Sequence, residues 1–265
     1  MHKKHFVLGG DLKKSLTEGY QLDFKSLMKD AITITKKHYL SLVTASLFTV
    51  ILLAGCYHLT FGGAANLSNN GQMLGNYLIA LLVAPPLLTG LQMMGIHHSI
   101  GLKTKSIDLF NYFRMILKLS TATLMISVIN NVISLLLTQT LGQMGFVVSI
   151  VVLLYLNMAF TFVYPLISEK KIKPQAALIL SFKLVHKNIL QFTLMFMILG
   201  LLFFIALSPY GLGLFLFIPF YFNLMGIIYR KLCGVGVVAT TIDEDSNGRS
   251  GRSPHTGSSN GQFDA

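Results

Sequence analysis

Charged residues are scarce in this sequence, and tryptophan is absent. Only 12% of the 265 residues are charged, whereas 53% are hydrophobic. Soluble domains carry about 25% charged residues, so this chain has too little charge to cover a water-facing surface of its size. The shortage excludes an ordinary soluble domain and indicates that lipid takes the place of part of the solvent.

Cysteines and catalytic motifs are also in short supply. The only cysteines, Cys56 and Cys233, are too few for a disulfide framework or a paired metal-binding spacing. The chain has no G-x-G-x-x-G, no Walker lysine loop and no H-E-x-x-H, and its one G-x-S-x-G match, at residues 257–261, lies in a Gly- and Ser-rich stretch and not between a strand and a helix as a nucleophile elbow requires. His97 with His98, or Cys56 with His58, would suit a soft metal, but the predicted spans place these pairs at opposite membrane surfaces. The sequence therefore predicts no catalytic residues, no cofactor and no metal site.

Long apolar runs are abundant instead, and six of them reach or approach the ~20 residues that a helix needs to cross the hydrocarbon core. They lie at about 39–60, 74–96, 119–138, 143–166, 189–209 and 212–232. The sequence thus predicts an all-α, multi-pass membrane domain over residues 23–242. A polar basic segment at 1–22 precedes it. A tail at 243–265, rich in Gly, Ser and Asn, follows and is expected to be disordered.

Basic residues lie on one side of these spans only. Of the 21 lysines and arginines, 8 precede the first span, 4 lie at 103–118, 5 at 170–187 and 4 from Arg230 onward. The loops near 61–73, 139–142 and 210–211 contain none. Because cytoplasmic loops are enriched in lysine and arginine, both termini are predicted to be cytoplasmic.

Three cytoplasmic segments combine an apolar stripe with a basic face just before a span. In the segment that begins at Pro174, a residue favoured in the first helical turn, the stripe is Ala177, Leu180 and Leu184, opposite Lys183, His186 and Lys187. Residues 24–36 and 106–118 follow the same design. Such helices lie in the membrane interface, so we expect three interfacial helices, each followed by a two-helix hairpin. The alternative is that they are only the basic flanks of ordinary membrane helices.

The net charge of +11 raises nucleic acid as a partner, but no nucleic-acid-binding motif is present and the charges flank apolar runs. Anionic lipid headgroups on the cytoplasmic side are the expected partner, since each nearby cation adds about 1 kcal/mol of attraction. The candidate contacts are Lys103, Lys105, Arg114, Lys170, Lys171, Lys173, Lys183 and Lys187.

A second set of candidate site residues consists of prolines and asparagines deep within the spans: Pro85, Pro86, Asn130, Asn131, Asn157 and Asn223. Broken helices with polar side chains at mid-depth form substrate sites in transporters. Asparagines also join helices, at about 0.6–2 kcal/mol each. Because no carboxylate lies within a predicted span, proton-coupled transport is not supported. The favoured interpretation is that the asparagines join helices. The alternative is that they form the substrate site of a small transporter for a neutral or amphipathic solute.

Three stretches carry a resemblance to known proteins: "LLVAPPLLTGLQMMG" in the second span, "DLFNYFR" before the third and "YPLISEKKIKPQAALILSFKLVHKN" after the fourth. Together they are similar to a group of bacterial inner-membrane proteins. This group includes the YciC-type family and the membrane domain fused to some glycerophosphodiester phosphodiesterases. In the fused proteins a separate soluble domain performs hydrolysis, and this chain has none. The resemblance, over about residues 20–235, implies a six-helix inner-membrane scaffold or lipid- and envelope-associated module without enzymatic activity. It supplies no ligand-binding residues.

Overall fold

The computed structural model describes residues 2–61, 69–208 and 210–241, and these ranges form a nearly all-α chain. The helices are α1 (Leu12–Thr17), α2 (Phe24–Phe61), α3 (Asn69–Leu78), α4 (Ala84–Ser99), α5 (Ile116–Leu141), α6 (Gln143–Ala159), α7 (Val163–Ser168), α8 (Pro174–His186), α9 (Ile189–Leu207) and α10 (Leu214–Cys233). A π-helical segment, Ile79–Val83, joins α3 to α4, and a 3₁₀ helix, Ser106–Met115, precedes α5. The predicted tail at 243–265 lies outside the described residues.

Five helical stretches are long and apolar enough to cross a membrane. They are Phe24–Leu59, Gly71–Ser99, Ser106–Leu141, Gln143–Ser168 and Ile189–Leu207. Their length and composition make the chain a multi-pass membrane protein. The sixth predicted run, 212–232, corresponds to α10, which ends with Arg230 and Lys231 in its last turn and is not among the five.

The helix breaks between each predicted amphipathic segment and its span. In α2 the backbone is non-helical at His38, with φ −116° and ψ 22°. The second segment forms the 3₁₀ helix, which changes to α-helix at Ile116. Asn188, with φ −142° and ψ 59°, separates α8 from α9. Each break therefore lies at or close to the residue where the sequence changes from amphipathic to mainly apolar.

Part of each apolar stripe in these segments is buried against protein, so lipid alone does not cover the stripes as the interfacial prediction implies, although Phe110 of the second stripe is 37% exposed. Leu27, Ala31, Leu109, Ala177 and Leu184 are at most 1% exposed. Four of them belong to the main core together with the C-terminal half of α10, and Leu109 packs in a smaller core against α2 and α4. A stripe that is apolar enough to rest on lipid is equally able to pack against a buried helix.

The core lies at one end of the helices, which is the cytoplasmic end in the predicted orientation. Its members include Phe162, Leu166, Ile227 and Tyr229, each at most 1% exposed. The opposite halves of the long helices expose large apolar side chains such as Val132, Leu135, Leu136, Phe203 and Phe204. This distribution suits a membrane protein, because lipid covers apolar surface without the penalty that water would impose.

A pair of glycines brings α4 and α10 into close contact. A Cβ atom on Gly95 would lie 2.1 Å from the carbonyl oxygen of Phe222, and one on Gly226 would lie 2.3 Å from the carbonyl group of Gly95. Neither distance leaves space for any side chain. Glycine at both positions therefore allows the two backbones to touch, as small residues do at other helix crossings in membranes.

The two ends of the described chain form a small antiparallel sheet that the sequence did not predict. Strand β1 (His2–Leu8) pairs with β2 (Val235–Thr241), with His2 opposite Thr241 and Leu8 opposite Val235. The Ser15 hydroxyl in α1 donates to the Leu232 carbonyl at 2.7 Å. The segment predicted as a separate basic region at 1–22 is thus joined to the end of α10.

Candidate functional site

A buried polar network joins α2, α4 and α10. The side chain of Asn223 is fully buried, and its Oδ1 lies 3.0 Å from His98 Nδ1. Its Nδ2 donates to Thr35 Oγ1 at 3.1 Å. His98 Nε2 lies 2.8 Å from Thr104 Oγ1, and Ser41 Oγ donates to the Thr104 carbonyl at 2.7 Å. Because unpaired polar groups are costly at such burial, the network fixes how the three helices meet.

The hydrogen bonds also define the direction in which protons are shared. Asn223 Oδ1 can only accept, so His98 Nδ1 must carry a proton. In the neutral ring Nε2 then accepts, and the Thr104 hydroxyl donates to it. The Thr104 hydroxyl proton is therefore engaged, and so is that of Ser41. Asn223 thereby selects one tautomer of His98.

The network reaches the surface at the break in α2. The His38 ring stacks on His98, with centroids 4.3 Å apart and planes inclined by 14°. A cavity of about 300 Å³ lies beside it, lined by Lys36, Lys37, His38, Tyr39, Leu40, Ser41, Lys103 and Thr104. The three lysines are exposed, and none of these lining residues is acidic. This arrangement can hold an anion.

Most of this site was not predicted from the sequence. Thr35, His38 and Ser41 recur at i, i+3 and i+6 on α2, which is a polar stripe at helical spacing. That pattern was a usable signal for one side of the site. The contribution of Thr104 depends on tertiary contact, and no local pattern indicates it. His98, which the sequence offered as a soft-metal ligand, has both ring nitrogens hydrogen-bonded.

A second polar cluster is centred on Glu169, which follows α7. Its Oε2 accepts from the Tyr229 hydroxyl at 2.9 Å, and its Oε1 accepts from the Gly236 amide at 3.0 Å. The Lys170 ammonium lies 3.2 Å from Oε1. Glu169 therefore connects α7, α10 and β2 through one carboxylate.

Replacing Glu169 with alanine should loosen the terminal sheet. The change leaves the buried Tyr229 hydroxyl without its acceptor and frees the Gly236 amide; hydrogen bonds to a charged group are worth about 1.5–3 kcal/mol. Amide hydrogen exchange in β1 and β2 should accelerate by about tenfold or more, while exchange in α5 and α6 stays unchanged. Tyr229→Phe, which removes only one of the bonds, should give a smaller effect. Unchanged exchange in β2 would contradict this role of Glu169.

Three of the candidate lipid contacts bond to other groups of the protein, and seven of the eight are exposed. Lys170 pairs with Glu169, and the Lys187 ammonium donates to the Thr17 carbonyl at 3.0 Å. Lys171 donates to the Ser168 carbonyl at 2.7 Å. The exposed members of the set are Lys103, Lys105, Arg114, Lys171, Lys173, Lys183 and Lys187. Most of the set therefore remains available to a headgroup.

Lys171 also belongs to a local concentration of positive charge. Partial burial lowers the pKa of its ammonium, and the neighbouring cations Arg114 and Lys118 lower it further. Its backbone φ of 55° is in the left-handed region, which is uncommon for a residue with a side chain. An anion beside these cations would relieve their mutual repulsion.

The prolines and asparagines predicted at mid-depth do not form one cluster. Pro85 and Pro86 closely follow the π-helical segment within the continuous helical stretch Gly71–Ser99, so their missing amide protons interrupt its hydrogen-bond ladder. Asn223 bonds to His98 at the other end of α4, roughly 20 Å from Pro85 at 1.5 Å per residue. The predicted depth of Asn223 assumed that α10 crosses the membrane centrally, whereas its C-terminal half lies in the core.

Of the four predicted asparagines, Asn223 alone has a hydrogen bond to another helix among the bonds within the described ranges. Asn131 donates to the Ser127 carbonyl at 2.7 Å, and Asn157 donates to the Leu153 carbonyl at 2.9 Å. Both acceptors belong to the same helix as the donor. Asn130 has a buried Oδ1 without a partner. Joining of helices is therefore observed for Asn223 and not for Asn131 or Asn157.

No family model matches the chain, and neither a curated protein nor a solved structure matches it.

Proposed function

We propose that the protein is a non-enzymatic inner-membrane module of the YciC type in a bacterium, with a scaffolding or lipid- and envelope-associated role. Its basic surface binds anionic lipid. The supporting observation is that the packed core and the exposed lysines, such as Lys171, Lys173 and Lys183, belong to the same end of the helices. A rigid layer at headgroup level with cations on its surface is suited to hold anionic lipid.

We further propose six spans, with α10 as the sixth, and both termini in the cytoplasm. The pairing of β1 with β2 supports this arrangement, because His2 lies opposite Thr241 and paired strands share one side of a membrane. Such pairing favours an even number of crossings. The one-sided distribution of lysine and arginine supports the cytoplasm as that side.

Native cysteines provide a test of this topology. Cys56, near the outer end of the first span, is half-buried, whereas Cys233 is 2% exposed. A membrane-impermeant maleimide added to spheroplasts should label Cys56 and leave Cys233 unlabelled, and both should react after denaturation. Cys56→Ser should abolish the native signal. Labelling of Cys56 only after the membrane is permeabilised would reverse the proposed orientation.

Binding of anionic lipid is tested by replacing Lys171, Lys173 and Lys183 with glutamine. Lys170 and Lys187 are kept because they bond to Glu169, which connects three elements, and to the distant Thr17 carbonyl, whereas Lys171 bonds to the carbonyl of nearby Ser168. A control with the same loss of charge replaces Lys13, Arg249 and Arg252. Native mass spectrometry of the purified protein should show less co-purifying anionic lipid for the first variant only. Equal retention in the two variants would refute the lipid-binding role.

One observation favours the transporter alternative. Asn130 Oδ1 and Gln92 Oε1 are buried without hydrogen-bond partners, and the π-helical segment Ile79–Val83 precedes α4. Such irregular helices frequently occur at functional sites. In a scaffold, Asn130→Leu should raise the thermal midpoint, because an unpaired buried polar atom costs about 1–3 kcal/mol. In a transporter the same change should abolish solute flux in proteoliposomes.

A further inference from the structure

The His38 side chain is the starting point, because most of its ring is covered while its nitrogens stay open. The residue is 8% exposed, and within the described ranges neither ring nitrogen has a hydrogen-bond partner in the protein. One ring face is covered by His98 at a centroid distance of 4.3 Å. Neither nitrogen belongs to the fully buried unpaired atoms of the described residues, and the side chain lines the cavity at the α2 break. The ring nitrogens are therefore free to bond to a ligand in that cavity.

The charge around the cavity indicates what that partner is. Lys36, Lys37 and Lys103 line it with exposed side chains, and no lining residue carries a carboxylate. The hydroxyl protons of Ser41 and Thr104 are engaged within the protein. The side-chain groups left for a ligand are therefore cations, an imidazole and the Tyr39 hydroxyl, all of which can donate a hydrogen bond. They favour a group that accepts hydrogen bonds and carries negative charge.

Position and size narrow the ligand further. The part of α2 that contains no lysine or carboxylate begins just after His38, so the cavity opens where the helix is proposed to enter the membrane. A volume of about 300 Å³ is at the lower end of small-molecule sites, which suits a single headgroup or a small anion. A zwitterionic headgroup with an ammonium group is disfavoured, because it would place a further cation among the lysines.

We propose that this cavity binds a phosphate group, with Lys37 and Lys103 contacting the phosphate oxygens and His38 donating a hydrogen bond to one of them. The phosphate could come from an anionic lipid headgroup or from a soluble anion. This site specifies one place where the proposed anion-binding function would operate, and the inference rests in part on that function. Its residues differ from Lys171, Lys173 and Lys183, so the two sites can fail separately.

The test compares two variants that lose equal charge. Lys37→Gln/Lys103→Gln changes exposed residues of the site, and Lys25→Gln/Lys29→Gln changes exposed lysines elsewhere on α2. His38→Phe retains the ring that stacks on His98 but removes its nitrogens. The full-length protein is titrated with inorganic phosphate in detergent, with the thermal midpoint as readout. Nanodiscs containing phosphatidic acid or only phosphatidylcholine then supply the lipid for native mass spectrometry.

One of the two probes, inorganic phosphate or phosphatidic acid, should bind the unmodified protein. We expect Lys37→Gln/Lys103→Gln and His38→Phe to bind that probe at least tenfold more weakly than the Lys25→Gln/Lys29→Gln control does. Stabilisation by inorganic phosphate alone would identify a soluble anion, and selective retention of phosphatidic acid would identify a lipid headgroup. Equal weakening in the Lys25→Gln/Lys29→Gln control would show general surface attraction and overturn the proposal. Absence of binding by both probes to the unmodified protein would also overturn it.

Discussion

Gly226→Ala should lower the thermal midpoint by roughly 6–12 °C, at about 2–4 °C for each kcal/mol in a chain of this size. The new methyl group would lie 2.3 Å from the Gly95 backbone, so α10 must move away from α4. Overpacking of this kind costs about 1–3 kcal/mol. The movement also stretches the bond between Asn223 and His98, so we expect a total cost near the top of that range or slightly above it.

Gly200→Ala is the matched control, because a Cβ atom there meets no heavy atom within 4 Å. Gly200 lies within α9, where alanine gains up to about 1 kcal/mol of helix propensity over glycine. The thermal midpoint of the Gly200→Ala variant should stay the same or rise slightly. Unfolding in detergent, followed by circular dichroism, distinguishes the two variants. Equal midpoints for Gly226→Ala and Gly200→Ala would show that the α4–α10 contact is not tightly packed in solution.

The sequence predicted the breaks in the helices more successfully than their burial. A change from amphipathic to apolar character is local, so residues near His38 and Asn188 were enough to place two of the breaks. Which surface covers the stripe of Ala177 and Leu184 is a tertiary property. Lipid and a neighbouring helix are both apolar, so the same pattern suits either. The structure resolves this ambiguity in favour of protein.

The candidate site was predictable only in fragments. Asn223 was identified as a helix-joining residue, and it does bond to another helix. Its partners were not identified, because His98 and Thr35 lie 125 and 188 residues away in the chain. Likewise, the chain has 23 glycines, and composition does not reveal that Gly95 and Gly226 face each other.

Asn223→Leu should destabilise the protein by about 2–4 kcal/mol. Leucine has the same branched shape but bulkier methyl groups, so overpacking adds to the main effect. That effect comes from polar groups that lose their partner: the His98 Nδ1 proton and the Thr35 hydroxyl. Each buried group left unpaired costs about 1–3 kcal/mol. Asn157→Leu is the control, since Asn157 is exposed and bonds only to the Leu153 carbonyl of its own helix. Its free energy of unfolding should change by less than about 0.5 kcal/mol.

A double-mutant cycle separates this network from simple packing. If Asn223 acts through His98, then His98→Leu should lower the free energy of unfolding far less in the Asn223→Leu background than in the unmodified protein. In that background His98 Nδ1 has already lost its acceptor, so removing the imidazole breaks no further bond to Asn223. We expect a coupling of about 1–3 kcal/mol between the two positions. The His38 ring stacks on His98, so the cavity at the α2 break should lose anion affinity in the Asn223→Leu variant as well. Additive effects of the two substitutions would mean that the hydrogen bond contributes little. The joining of α4 to α10 would then rest on packing, that is, on the Gly95–Gly226 contact and on apolar side chains such as Met94 and Phe222.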